Sequence, residues 1–163
     1  MLGIELKSID LDLVEIQDIN ITNVAIHKAI QAFEIIKKPL FVDDSGIEIP
    51  EWSGFPGPFL AHIVKAGGMP LMLSLMKGAK KRDAIFKATI AYHDGSSIYS
   101  FEGSLEGEIA NEIRGERGFV IDGIFVPKGQ QRTFAQMPQT EKNQMSHRSI
   151  AVKKFRDHLE MSK

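Results

Sequence analysis

The chain contains no cysteine. That excludes disulfides, thiolate metal sites and a cysteine nucleophile. No apolar run approaches the length needed to cross a bilayer. The first ten residues, MLGIELKSID, alternate and carry charge. They lack a basic region followed by an apolar one, so they do not read as a signal peptide. Net charge is also nearly absent, at −1. Nothing therefore pulls the whole molecule toward nucleic acid or an anionic membrane, and any anionic partner must be held by a local site. There is no internal repeat, low-complexity tract or linker. The five histidines show no HExxH spacing, and neither GxSxG nor a Walker-type glycine loop is present. The expectation is a cytoplasmic protein with no nucleic-acid or membrane partner.

What is present is ordinary for a globular chain: 163 residues, 43% hydrophobic and 25% charged. That suffices for one domain, residues 1–163, with its own core. The stretch GIELKSIDLDLVEIQ alternates apolar and polar residues and predicts one strand or two short ones. From Asn20 the period becomes helical, with Ile26, Ala29, Ile30 and Phe33 on one face and Pro39 as the stop. PLFVDD predicts a buried strand, continued by SGIEI. WSGFPGP is a turn cluster, and Pro58 suits the first residue of a helix. MPLMLSLMKG predicts a second short helix, stopped by Gly78. Asp94-Gly95, between two β-rich runs, is the strongest hairpin signal. GIFVP predicts another strand, and SHRSIAVKKFRDHLEM an amphipathic helix capped by Ser146. The pattern is α/β, with a sheet of mixed direction flanked by helices.

The stretch FVDDSG holds the first chemical signal. Asp43 and Asp44 follow an apolar run directly, and successive strand residues point to opposite faces. Only one of the two can share a site with a given ligand. A carboxylate at a strand end suits a hard cation such as Mg²⁺, which takes one or two carboxylates and completes its shell with water and phosphate oxygens. An Asp-rich surface turn is the plainer alternative. Glu15 is a candidate second carboxylate, or a solvated strand-end residue. In EKNQMSHR, Lys142, His147 and Arg148 gather donors at a predicted helix start, where basic residues oppose the helix dipole and so call for another explanation. Asp122, inside GFVIDGIF, is an acid among apolar neighbours and needs a partner. Phe119 is either core or a stacking platform. KGAKKRD, without interleaved aromatics, reads as a solvated turn.

In chain order, VEIQ, VAIHKA, FVDDSGIEI, GFPGPF, GFVIDGIFVP, RTFAQMP and EKNQMSHR resemble the inosine triphosphate pyrophosphatase family over nearly the whole chain. The resemblance implies an elongated mixed α/β fold of two lobes with the site in a central cleft, and a homodimer. It implies Mg²⁺-dependent hydrolysis of non-standard purine nucleoside triphosphates (ITP, dITP, XTP) to a monophosphate and pyrophosphate. Carried over by position, Glu15 and Asp44 match the metal-linked acids, and Asp44 also the proton acceptor. Lys28 and Ser45 match substrate-binding positions. Phe119 and Asp122 match the base site, and Lys142, His147 and Arg148 the donors that read the base edge.

Two departures stand out. The family opens with a strand carrying a T-x-N-x-x-K loop, and this chain offers no match; Thr22, Asn23 and Lys28 have the wrong spacing. The expected consequence is a sheet with an exposed edge. Where the family reads G-F-G-[YW]-D-P-x-F, Val120 replaces a glycine, Ile121 an aromatic and Gly123 a proline. These departures motivate a second reading: a catalytically impaired nucleotide-binding or dimer-forming protein of the same fold.

Overall fold

The computed structural model describes residues 6–116, 118 and 120–161. Asn20 opens α1 (Ile21–Ile36) by accepting the Thr22 N–H on its side chain, a standard N-cap. Then follow β1 (Leu40–Glu48), β2 (Pro56–Gly57), α2 (Leu60–Ala66), α3 (Gly68–Leu75), β3 (Asp83–His93) and β4 (Ile98–Ile109). β5 (Phe125–Pro127), α4 (Gln139–Met145) and α5 (His147–Met161) complete the chain. The sheet order is β2-β1-β3-β4-β5, and every pairing among the described residues is antiparallel. The β3–β4 hairpin turns where expected. Asp94 Oδ1 accepts the N–H groups of Ser96 and Ser97, each at 2.7 Å. Ser146 caps α5 by accepting the Ser149 N–H at 3.2 Å.

Residues paired directly across strands share a face of the sheet. Asp44, Thr89 and Glu102 form one such row, and Ser45, Ala88 and Gly103 the next, on the opposite face. The first face is covered by α1. Its Thr22 hydroxyl lies 3.0 Å from that of Thr89 and donates to Glu102 at 2.8 Å. The second face is covered by α5, whose buried stripe is His147, Ala151 and Phe155. α2 and α3 close a third side over the largest core cluster. Arg82 ties that side to the sheet, donating to the carbonyls of Met76, Ile109 and Ala110.

Two expectations are corrected. The alternating N-terminal stretch forms no strand over residues 6–19. Alternation supplies two faces, but a strand also needs a neighbouring edge. Among the described residues the one anchor of that kind is a side chain: Gln31 accepts the Val14 N–H and donates to its carbonyl. In α1 the buried face is Ile21, Val24, Ala25, Ala29 and Ala32, and Ile30 is exposed. Ala25 and Ala29 pack on Ala91, so the helix sits low over β3 on small side chains. Phe33 instead stacks on His93, with ring centroids 3.8 Å apart.

Phe86 on β3 joins the main core to the start of α5. Its ring meets Phe125 at 5.3 Å, and the His147 imidazole stacks on it at 3.8 Å. His147 is 3% exposed, and its Nδ1 has no hydrogen-bond partner among the described residues. Burial, then the charges of Arg148 and Lys142, push its pKa down to about 3. In an unfolded chain a histidine titrates near 6.5. Between those values the unfolded chain binds a proton that the folded chain excludes, so stability falls as pH falls. Taking this residue alone, the loss from pH 7 to pH 5 is on the order of 2 kcal/mol. His147→Phe keeps a ring on Phe86 without the basic nitrogen. Urea midpoints at the two pH values should show the wild type losing that much more than the variant. Equal losses would assign the acid sensitivity to other groups.

Candidate active site

β1 sends its two aspartates to opposite faces, and a different helix answers each. Asp44 faces α1, where Lys28 Nζ lies 2.8 Å from Asp44 Oδ2. The same ammonium is paired with Glu15. Burial alone would lower the Lys28 pKa; the hydrogen bonds it donates to Asp44 and Glu15, and their charges, outweigh it and raise it above its ordinary value. Asp43 faces α5. Arg148 Nε donates to Asp43 Oδ2 at 2.6 Å, and Nη2 donates to Ser45 Oγ at 3.2 Å. Burial holds the Asp43 carboxyl above its usual range, the Arg148 charge offsetting part of that and the neighbouring Asp44 adding to it.

The third group lies at the junction of α4 with the loop after β4. Lys142 donates to Asp122, whose side chain is 3% exposed. Lys142 also stands 5.1 Å from the centre of the Phe134 ring. The loop wraps closely around the Asp122 carboxylate. A Cβ on Gly118 would lie 2.3 Å from Asp122 Oδ2, and Gly118 adopts a φ of +106°. Val120 adopts a φ of 56°, left-handed backbone that a β-branched residue rarely takes. It stands where the family pattern has glycine, which tolerates that conformation freely. Gly123 stands where the pattern has proline, and a Cβ there would meet Met69 Sδ at 2.9 Å.

A cleft of about 1060 Å³ joins these groups. Asp43, Asp44 and Ser45 line it from the sheet, and Asp122, Lys142, His147 and Arg148 from α4, α5 and their loops. Glu15 and Lys28 are not lining residues; they stand next to Asp44. Phe119 lies outside the described residues. The cleft also carries Lys65 on α2, with Lys153 and Arg156 on α5, which the sequence reading did not single out. Helical spacing held that signal, since Arg148, Val152 and Arg156 recur every four residues and share one face.

Glu15 and Asp44 share one positive charge, the Lys28 ammonium, so the two carboxylates and the lysine together carry a net negative charge. Among the described residues no set of three His, Asp or Glu side chains could hold an ion. The protein's share of a Mg²⁺ shell would be these two carboxylates, with the rest left to water and phosphate oxygens.

Comparison with known proteins agrees with the resemblance drawn from the motifs. The model of the Ham1 family matches residues 2–158. A dITP/XTP pyrophosphatase of Saccharolobus solfataricus is 40% identical over 97% of this chain and 82% of its own length. One from Thermococcus kodakarensis is 40% identical over 97% and 85%. Among solved structures, the Staphylococcus aureus Ham1 protein superposes with a TM-score of 0.86 at 30% identity, over 94% of this chain and 83% of that one. A HAM1 protein from Coxiella burnetii gives a TM-score of 0.82 at 30% identity, over 91% and 81%. With matching motifs, fold and near-complete coverage, the chain belongs to the Ham1 family.

Proposed function

We propose that this protein hydrolyses non-standard purine nucleoside triphosphates (ITP, dITP and XTP) to the monophosphate and pyrophosphate, with Mg²⁺. The observation that carries the reading is the cleft itself, which Asp43, Asp44 and Ser45 line together with the donors Lys142 and Arg148 and the buried Asp122, while Lys28 and Glu15 stand behind it against Asp44. The dITP/XTP pyrophosphatases at 40% identity support it. By the same resemblance we place the protein in the cytoplasm as a homodimer.

In this reading the triphosphate lies toward Asp44 and the base toward Asp122. Water attacks the α phosphorus, the bond to the bridging oxygen breaks, and pyrophosphate leaves. Asp44 orients the water and accepts its proton. Lys28, held by Asp44 and Glu15, supplies positive charge beside the phosphates. When bound between Glu15 and Asp44, Mg²⁺ would neutralise phosphate oxygens and polarise the bond to be broken.

At the other end Lys142 and Arg148 can only donate. Hypoxanthine and xanthine present a 6-oxo acceptor; adenine presents a 6-amino donor. Each mismatched contact costs about 1–3 kcal/mol, enough that two reject ATP strongly. Ser45 orients Arg148, and Asp122 orients Lys142. His147 stays neutral at physiological pH and adds no charge of its own. The resemblance assigns Phe119 to stacking on the base. The strained Val120 backbone at that end is what favours the second reading, nucleotide binding without turnover.

Incubation with ITP and Mg²⁺ should release pyrophosphate; ATP in place of ITP should release little, and added EDTA should stop the release. Bound ITP without pyrophosphate would favour the second reading. Asp44→Asn should abolish turnover with the circular dichroism spectrum unchanged; an active variant would remove Asp44 from proton transfer. Arg148→Ala should lower the ITP-to-ATP ratio of kcat/KM by roughly tenfold or more. An unchanged ratio would place base recognition elsewhere.

A further inference from the structure

The first turn of α5 rests on a glycine. Gly103 is central in β4, paired with Ala88 of β3, which pairs in turn with Ser45 of β1. A Cβ at Gly103 would lie 2.0 Å from the His147 carbonyl oxygen, 2.6 Å from the Ala151 nitrogen and 3.0 Å from Ile150 Cβ. The two nearest atoms are backbone, at the acceptor and donor positions of the first i→i+4 turn of α5. Neither can rotate away. Gly103 has ordinary strand backbone, so the glycine is required for space and not for conformational freedom. Ala151, opposite it, is fully buried and is itself small. Helix and strand therefore meet at close range at one point, directly under the turn that carries His147 and Arg148.

We propose that Gly103 is a positioning residue for substrate recognition. Its missing side chain seats α5 at the height from which Arg148 reaches Asp43 and Ser45 and His147 lies on Phe86. The inference rests on the reading of that turn as the base-recognition end. A methyl group at position 103 must lift the turn by about 1 Å, and a displacement of that size in a positioned group can cost up to ~100-fold in rate. The acid–lysine end lies on the other face of the sheet, with α1, and does not feel the lift directly.

Gly103→Ala tests this against Gly95→Ala in the β3–β4 turn. Gly95 adopts a φ of +112° and a Cβ there would meet nothing within 4 Å, so that variant is strained in its backbone and leaves the contact with α5 intact. Both variants should lose thermal stability. Gly103→Ala should raise KM for ITP roughly 10–100-fold and lower the ITP-to-ATP ratio, with kcat at saturation changed less than about threefold. Gly95→Ala should leave KM and the ratio as in the wild type. The ring protons of His147, shifted in NMR spectra by the Phe86 ring, should lose that shift in Gly103→Ala and keep it in Gly95→Ala. Wild-type KM and wild-type shifts in Gly103→Ala, or equal changes in both variants, would overturn the proposal. A wild-type chain without turnover would overturn the functional reading, and the NMR comparison would still decide the seating of α5. Should Gly103→Ala fail to fold, Ala151→Ser inserts one atom at the same contact from the helix side and is read in the same two ways.

Discussion

Asp43 and Asp44 are neighbours on β1, and strand geometry sends their carboxylates to opposite faces of the sheet. Neither is fully solvated, so each requires a positive partner. α1 answers on one face with Lys28, and α5 on the other with Arg148. The two helices are thereby referenced to one step of one strand. Their relative position follows from the length of a peptide unit more than from any contact between them. The acid–lysine group on one face and the donor-lined cleft on the other are held in register through that step.

These ion pairs do more for arrangement than for stability. A partly buried pair recovers little beyond its desolvation cost, whereas breaking it leaves one charge uncompensated. Lys28 faces two carboxylates at once, so the group keeps a net negative charge. Asp122 and Lys142 are more deeply buried, and their hydrogen bond is wrapped by the loop at Gly118 and Val120. The left-handed valine there is local backbone strain in the wall of the cleft.

Much of this was legible in the chain. The opposite orientations of Asp43 and Asp44 follow from strand periodicity, the hairpin from Asp94-Gly95, and the start of α5 from Ser146. The resemblance named Asp44, Ser45, Asp122, Lys142, His147 and Arg148 together, and these line one cleft; Glu15 and Lys28 stand beside Asp44 outside its lining. What periodicity could not provide is partnership. The residues before Asn20 alternate well, yet no sheet edge receives them among the described residues. The face of α1 was misjudged because large apolar residues draw attention, while the contact is made by alanines. Arg148 and Asp43 are 105 residues apart, so nothing local to either one announces the other. α4 was overlooked because it has only seven residues and no apolar stripe.

The stacking of His147 on Phe86 has a consequence for how such a protein changes over time. In most enzymes, drift in the interior is judged by folding alone, while drift at the surface of the cleft is judged by chemistry. Here one ring belongs to both. Phe86 touches Phe125 on its inner side and the first residue of α5 on its outer side. A change of volume anywhere in that aromatic cluster is transmitted to the cleft wall, because a close-packed interior passes displacement on instead of absorbing it. Variation in the interior is thus exposed to selection twice, and the lineage can explore new ligands through substitutions that never touch one.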